Sequence, residues 1–372
     1  MLSQRCAKPC SAAPSRERSR AVQLRFALAA AFALAVALAA REARACSVCL
    51  AGDPIFSTQG ATSQEAGSFS IYLETRSFSK ESGLGEHAHD EAEPDAEHAE
   101  EDDHGAAPKS GEHEAGDDEA HHEPGSERSR QERIDLYASW TPLDRFTVTL
   151  DVPFAWNRII EHEEGERTRS TLAGLGDVAI GTSFVLWRNR DVLPSTWIEG
   201  RLWLKTPTGR DEAEVEGMRD PHLQPGTGSW DFGAGLAGVH RLAWGSLYAS
   251  VFYRENTPGS LDYTYGDVWL ANLAVEVPVG HALEQPWLEW LTAGLELNFR
   301  YAGYDHADGE QFADSGGSIL YATPSVRVRL PFGFRDRPVS VRGAVQIPVT
   351  QSWLHNEQDE GEVWSLGVHV PF

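Results

Sequence analysis

From about residue 131 to the C-terminus, apolar and polar residues alternate along the chain. Phe146, Val148, Leu150, Val152 and Phe154 are apolar, and Thr147, Thr149 and Asp151 sit between them. Alternate side chains of a strand point to opposite faces, so this pattern predicts a strand with one apolar and one polar side. The pattern recurs with Leu291, Ala293, Leu295, Leu297 and Phe299 against Thr292, Glu296, Asn298 and Arg300. It recurs with Val339, Val341, Val345 and Ile347 against Ser340, Arg342 and Gln346. Near the start, Phe69, Ile71 and Leu73 oppose Ser70, Tyr72, Glu74 and Arg76. The chain ends with Trp364, Leu366, Val368, Val370 and Phe372 on one face and Ser365, Gly367, His369 and Pro371 on the other. Such runs predict strands at about 68–79, 131–141, 144–158, 173–187, 195–206, 230–242, 245–256, 265–279, 287–302, 317–330, 337–350 and 361–372, twelve in all.

The connections alternate in length. Those at 141–144, 188–194, 242–245, 280–286 and 331–337 are short; those at 80–130, 159–172, 207–229, 257–264, 303–316 and 351–360 are long. An even number of strands with short turns at one end and long loops at the other fits a transmembrane β-barrel, with both termini at the periplasmic, short-turn end. A soluble β-sandwich shares the alternation of residues but has no reason to keep the alternation of loop lengths. Trp140, Trp187, Trp244 and Trp287 fall near short turns, and Trp156, Trp230, Trp353 and Trp364 near long loops, as two interfacial girdles require. The expected fold is therefore all-β: an antiparallel transmembrane barrel of about 12 strands.

Composition sharpens this picture. Net charge is -24, which argues against nucleic acid as a partner. No apolar run reaches the roughly 18 residues of a membrane helix, so a membrane-spanning form must be a closed barrel. Residues 1–45 read as a signal peptide, with Arg16, Arg18, Arg20 and Arg25 before the apolar stretch 26–40 and Ala43-Arg44-Ala45 as cleavage site. The remaining chain divides into a periplasmic segment at 46–67 and the barrel at 68–372. Expected partners are outer-membrane lipid, the barrel assembly machinery, for which Phe372 is the terminal signal, and a small-molecule or ion solute.

Two segments carry candidate metal chemistry. Cys46 and Cys49 form a C-x-x-C pair, able to hold a metal, cycle as a dithiol or close a disulfide. Leu50 after the second Cys excludes a c-type haem. Segment 86–123, within the long loop 80–130, holds His87, His89, His98, His104, His113, His121 and His122. Its sixteen Asp and Glu face a single cation, Lys109. Such a composition cannot bury a core and predicts a disordered, extracellular loop. Mixed imidazole and carboxylate suits weak, multi-site binding of zinc, copper, nickel or cobalt; a solvated acidic loop is the alternative.

Three stretches occur in order: Gly174-Leu175-Gly176-Asp177-Val178-Ala179-Ile180-Gly181, Leu204-Lys205-Thr206-Pro207-Thr208-Gly209-Arg210 and Gly226-Thr227-Gly228-Ser229-Trp230-Asp231-Phe232. With Phe372 they resemble a family of bacterial outer-membrane barrels labelled transporters, or "MetA-pathway of phenol degradation". The resemblance covers most of 131–372 and implies passage of small molecules, with aromatic ones among the candidates, across the outer membrane. The start Cys46-Ser47-Val48-Cys49 also resembles the C-S-V-C-G-C-G-D-P opening of other outer-membrane proteins, with Leu50-Ala51 where those carry Gly-Cys. On the inward faces, Glu199, Arg201, Lys205, Glu276, Glu296, Arg300, Arg327, Arg329 and Arg342 are pore-lining candidates. The last three arginines read as a basic wall, which selects ions in an open lumen or pairs across a closed one. Asp177 and Asp231 read as caps of loop amides or as mouth residues. The expected function is a channel or transporter for small solutes (ions, metal ions or small aromatic molecules). The alternative is a surface barrel whose His-rich loop captures divalent cations. His162, His222, His240, His355, Ser365 and His369 are scattered with no nucleophile motif, so no enzyme is expected.

A peptide spanning 86–123 is expected to bind zinc or copper weakly in calorimetric titration. Binding should fade as pH falls through about 6.5, because neutral imidazole is the ligand form. No heat with zinc, copper or nickel at neutral pH would leave the segment a solvated acidic loop.

Overall fold

The computed structural model describes residues 66–82, 126–163, 166–215, 217, 219–311, 315–334, 337–353 and 358–372. The signal-peptide expectation at 1–45, Cys46, Cys49 and the His-rich 86–123 lie outside the described residues. The strands are β1 (Phe69–Ser82), β2 (Ser126–Leu143), β3 (Phe146–Glu163), β4 (Glu166–Leu175), β5 (Ala179–Arg188), β6 (Thr196–Lys205), β7 (Asp231–Leu242) and β8 (Gly245–Glu255). They continue as β9 (Tyr263–Thr264), β10 (Val268–Pro278), β11 (Leu291–Ala302), β12 (His306–Ala307), β13 (Glu310–Gln311), β14 (Gly317–Phe334), β15 (Arg337–Trp353), β16 (Gln358–Glu360) and β17 (Val363–Pro371).

All main strands pair antiparallel with their neighbours, and β1 pairs with both β2 and β17, so the sheet closes. Both β4 and β5 lie along β3, and both β16 and β17 lie along β1, so each pair is one stave with a break. The barrel therefore has twelve staves, as the alternation predicts. Short β9, β12 and β13 form a separate sheet in the long loops. The expected short turn at 280–286 holds one helical turn, Val279–Ala282, followed by a 3-10 turn at Pro286–Leu288. No helix among the described residues is long and apolar enough to cross a membrane.

The outward face explains the alternation. Leu73, Leu136, Leu150, Leu202, Leu236, Val251, Leu273 and Leu366 are exposed on eight different strands. So much apolar surface facing outward on a closed barrel is a hydrocarbon-facing belt. Exposed Trp140, Trp187, Trp287 and Trp290 rim the short-turn end, and exposed Trp156, Trp230, Trp269 and Trp364 rim the other. Trp244 is half-buried. Val339, expected on the lipid face, is instead buried at the foot of β15. The C-terminal Phe372 donates its N–H to the Phe69 carbonyl at 2.8 Å and sets its ring 4.9 Å from Phe334.

Replacing Val370 and Phe372 together with Asp is expected to abolish barrel assembly. The change puts charge on the lipid-facing side of the closing strand and removes the Phe372 ring contacts. Heat-modifiable mobility on gels, with the protein recovered in membranes, measures the outcome; normal folded barrel would contradict it.

Candidate functional site

The lumen collects the polar halves of the strands. Arg76 of β1 reaches Asp135 of β2 at 2.7 Å, and Arg133 reaches the same carboxylate at 2.5 Å. Arg133 also lies 3.6 Å from Asp151 of β3. Near the long-loop end, Glu360 receives Arg300 of β11 and the Tyr321 hydroxyl of β14, with Lys80 of β1 at 3.7 Å. Lower down, Arg342 of β15 pairs with Glu296 of β11. Arg327 pairs with Glu276 at 2.5 Å, and Tyr248 donates to the same carboxylate at 3.0 Å. Arg201 lies 2.5 Å from Glu199 on its own strand.

The basic wall expected from Arg327, Arg329 and Arg342 is therefore not uniform. Two of the three meet carboxylates. Arg329 is exposed at the short-turn end, where it donates to the Glu289 carbonyl. The spacing could not reveal this, because each partner comes from another strand. Arg76 and Asp151 fall on polar faces in the sequence but outside the pore-lining candidates, Arg133 and Asp135 have inward parity as their only signal, and Glu360 falls in the expected loop 351–360 and has none.

The wall from β5 to β10 adds aromatic side chains to its charged ones. Trp197 and Trp203 of β6 point inward and are buried, as are Val239 of β7 and Phe252 of β8. Trp203, Ala179 and Phe252 pack together with Leu270 of β10. Phe252 needs its neighbours to be glycine. A Cβ on Gly233 would lie 2.2 Å from the Phe252 ring, and one on Gly235 2.6 Å from it.

A roof covers part of the long-loop mouth. Asn157 of β3 donates to the carbonyls of Leu223 and Gln224, at 3.1 and 3.0 Å. Leu223 packs on the inward-facing Ile159 and Leu172. His222 meets Asp220 and the Tyr263 hydroxyl, and Tyr263 donates to Asp305 at 2.6 Å, so loops 206–230, 257–267 and 303–316 interlock. Burial pushes the Asp220 carboxyl up, but hydrogen bonding to and the charge of His222 outweigh it and hold the group below the usual carboxylate range.

The three sequence motifs meet where the roof is tied down. Asp177, in the break between β4 and β5, accepts from Gly209 N–H at 2.9 Å and from Thr227 N–H and hydroxyl at 2.8 Å. Asp231 accepts from Ser229 and from Thr257 N–H. Lys205 sits between the two acids, 3.3 Å from Asp177 and 2.5 Å from Asp231. Gly176, Gly209 and Gly226 let three backbones touch: a Cβ on Gly209 would lie 2.6 Å from the Gly176 carbonyl carbon. Both acids thus cap loop amides and hold a buried lysine. Among the described residues no group of three metal-ligating side chains is found.

No family model matches the chain, and no curated protein matches it. Among solved structures it resembles an outer membrane channel from Pseudomonas putida F1, with 13% identity and a TM-score of 0.53, over 83% of this chain and 97% of that one. A Pseudomonas aeruginosa FadL homologue has 11% identity and a TM-score of 0.38, over 82% of this chain and 90% of that one. The translocator domain of autotransporter NalP from Neisseria meningitidis has 11% identity and a TM-score of 0.40, over 85% and 92%. The likeness to the Pseudomonas putida protein shows the barrel fold alone.

Lys205→Met is expected to free the 206–230 loop, since it leaves two buried carboxylates without their cation, a loss of roughly 3–5 kcal/mol for a broken buried pair. Gly209→Ala should do the same by forcing the backbones apart. Thermolysin cleavage within 206–230 measures both; protection equal to the parent in both variants would rule out the tie.

Proposed function

We propose that this barrel is a channel or transporter in the bacterial outer membrane, passing small solutes across it, with both termini in the periplasm. The observation that carries this reading is the lumen. It is lined along its length by charged, hydroxyl and aromatic side chains rather than filled by an apolar core. Buried ion pairs seldom stabilise more than well-packed apolar groups of the same volume. A barrel serving only as an anchor has no use for so many. Twelve strands also place the lumen between filled eight-strand barrels and open porins of about sixteen. The resemblance to barrels labelled for phenol degradation brings small aromatic molecules among the candidate solutes, beside ions and metal ions. On the same reading, Cys46, Cys49 and the His-rich 86–123 segment would gather divalent cations, and capture alone is the competing function.

The purified barrel reconstituted in planar bilayers is expected to give discrete conductance steps. Because Asn157 and Leu223 hold the roof over the mouth, Asn157→Ala with Leu223→Ser should raise the conductance. Absence of steps in the parent and in this variant would leave the barrel an anchor.

A further inference from the structure

Arg254 stands apart from the other lumenal arginines. It is 8% exposed, it lies on the inward face of β8, and its Nε has no hydrogen-bond acceptor among the described residues. No carboxylate among them lies within ion-pair distance of it. The lumenal acids above it, Asp231 on β7 and Asp177 in the break between β4 and β5, are taken up by Lys205 and loop amides, and Asp267, next to its ladder partner Val268, is taken up by Tyr253 and Asn256. A buried guanidinium without an anion is costly, whereas every comparable lumenal Arg described above has found a carboxylate.

Its surroundings are aromatic and carry a second orphan donor. In the sheet register, Trp203 lies opposite Gly233, and Gly233 lies opposite Arg254. Gly233 has no side chain to separate them, so the guanidinium stands 5.9 Å from the Trp203 ring. The Trp203 indole Nε1 is also buried without an acceptor. One register step further in, Phe252 lies over Gly235 and packs with Trp203, Ala179 and Leu270. Two unmet N–H donors thus sit within a buried aromatic stretch of the wall, Trp203 being 6% and Phe252 2% exposed, one register step below the Lys205 tie.

We propose that Arg254, Trp203 and Phe252 form a binding subsite for an aromatic carboxylate. The carboxylate would accept from the Arg254 guanidinium and the Trp203 indole N–H, and the ring would lie against Trp203 and Phe252. A charged, flat ligand answers both features at once: a charge-assisted hydrogen bond for the guanidinium and apolar contact for the rings. This deepens the channel reading by naming the solute class that its wall would hold.

The test uses the full-length barrel, folded in detergent, with benzoate as probe in calorimetric titration. Benzoate is expected to bind, and acetate and benzyl alcohol to bind at least about tenfold more weakly, since each lacks one half of the recognition. Arg254→Leu should weaken benzoate by a similar factor while the heat-modifiable mobility of the barrel is retained, and Arg254→Lys should weaken it less. Equal benzoate affinity in parent and Arg254→Leu, or acetate binding as tightly as benzoate, would overturn the subsite. The comparison of three probes on the parent protein needs no variant. Conductance reads the channel separately. A barrel that conducts but ignores benzoate loses the subsite and keeps the channel; one that binds benzoate without conducting keeps the subsite and loses the channel.

Discussion

A strand in hydrocarbon has no water to satisfy its backbone, so every N–H and C=O must find a neighbouring strand. Here that requirement is met by closure of β1 onto β17 while β1 also pairs with β2. Much else follows. Closure fixes the number of staves, and the number of staves fixes the width of the lumen. Period-two alternation then sends one half of each strand outward, where it must be apolar, and the other half inward, where water and partners are available. The terminal Phe372 sits at the seam, bonded to the Phe69 carbonyl, so the last residue of the chain completes the same constraint.

Inside, the cost of burying charge shapes the arrangement. Asp135 holds Arg76 and Arg133, Glu360 holds Arg300 and Tyr321, and Glu296 holds Arg342. Most of these pairs link different strands, so they reinforce the register that the backbone ladder sets. They are concentrated on the wall formed by β1–β3 and β11–β17. The wall from β5 to β10 carries Trp197, Trp203 and Phe252 beside its own Arg201–Glu199 and Lys205–Asp231 pairs. A lumen in which aromatic side chains interrupt the ionic ones on one wall differs from a uniformly charged pore.

The strands were legible because lipid enforces their pattern. All twelve were readable from apolar positions two apart, and the errors fall where lipid stops enforcing it. β2 begins at Ser126 rather than near 131, in a polar stretch beyond the belt, and Val339 is buried at the foot of β15. The partners of the lumenal charges were not legible. Arg300 and Glu360 are sixty residues apart, and nothing local records their meeting. The three glycine motifs show the intermediate case. Each is weak by itself, and their order along the chain hinted at a family, but their meaning is spatial: Gly176, Gly209 and Gly226 pack backbone on backbone so that Asp177 can cap two amides of the 206–230 loop. Gly233 and Gly235 likewise read as ordinary strand glycines until the Phe252 ring is seen to lie over them.

The roof and the aromatic wall are coupled through one strand. Lys205, which ties the roof down, and Trp203, which faces Arg254, are successive inward residues of β6. Asp231 and Gly233 stand in the same relation on β7. On the proposed channel reading, a solute passing beneath the roof would meet the Lys205 tie first and the Arg254–Trp203 pair one register step later. Both lie on staves whose spacing the backbone ladder holds fixed. The roof is held differently, by side chains of Asn157, Asp177 and Lys205 and by the packing of Leu223. Side-chain ties of this kind open at lower free energy than a closed ladder, because they can be released one loop at a time without breaking the barrel. Access to the aromatic wall is thus governed by the loop, while the geometry of that wall is governed by the strands.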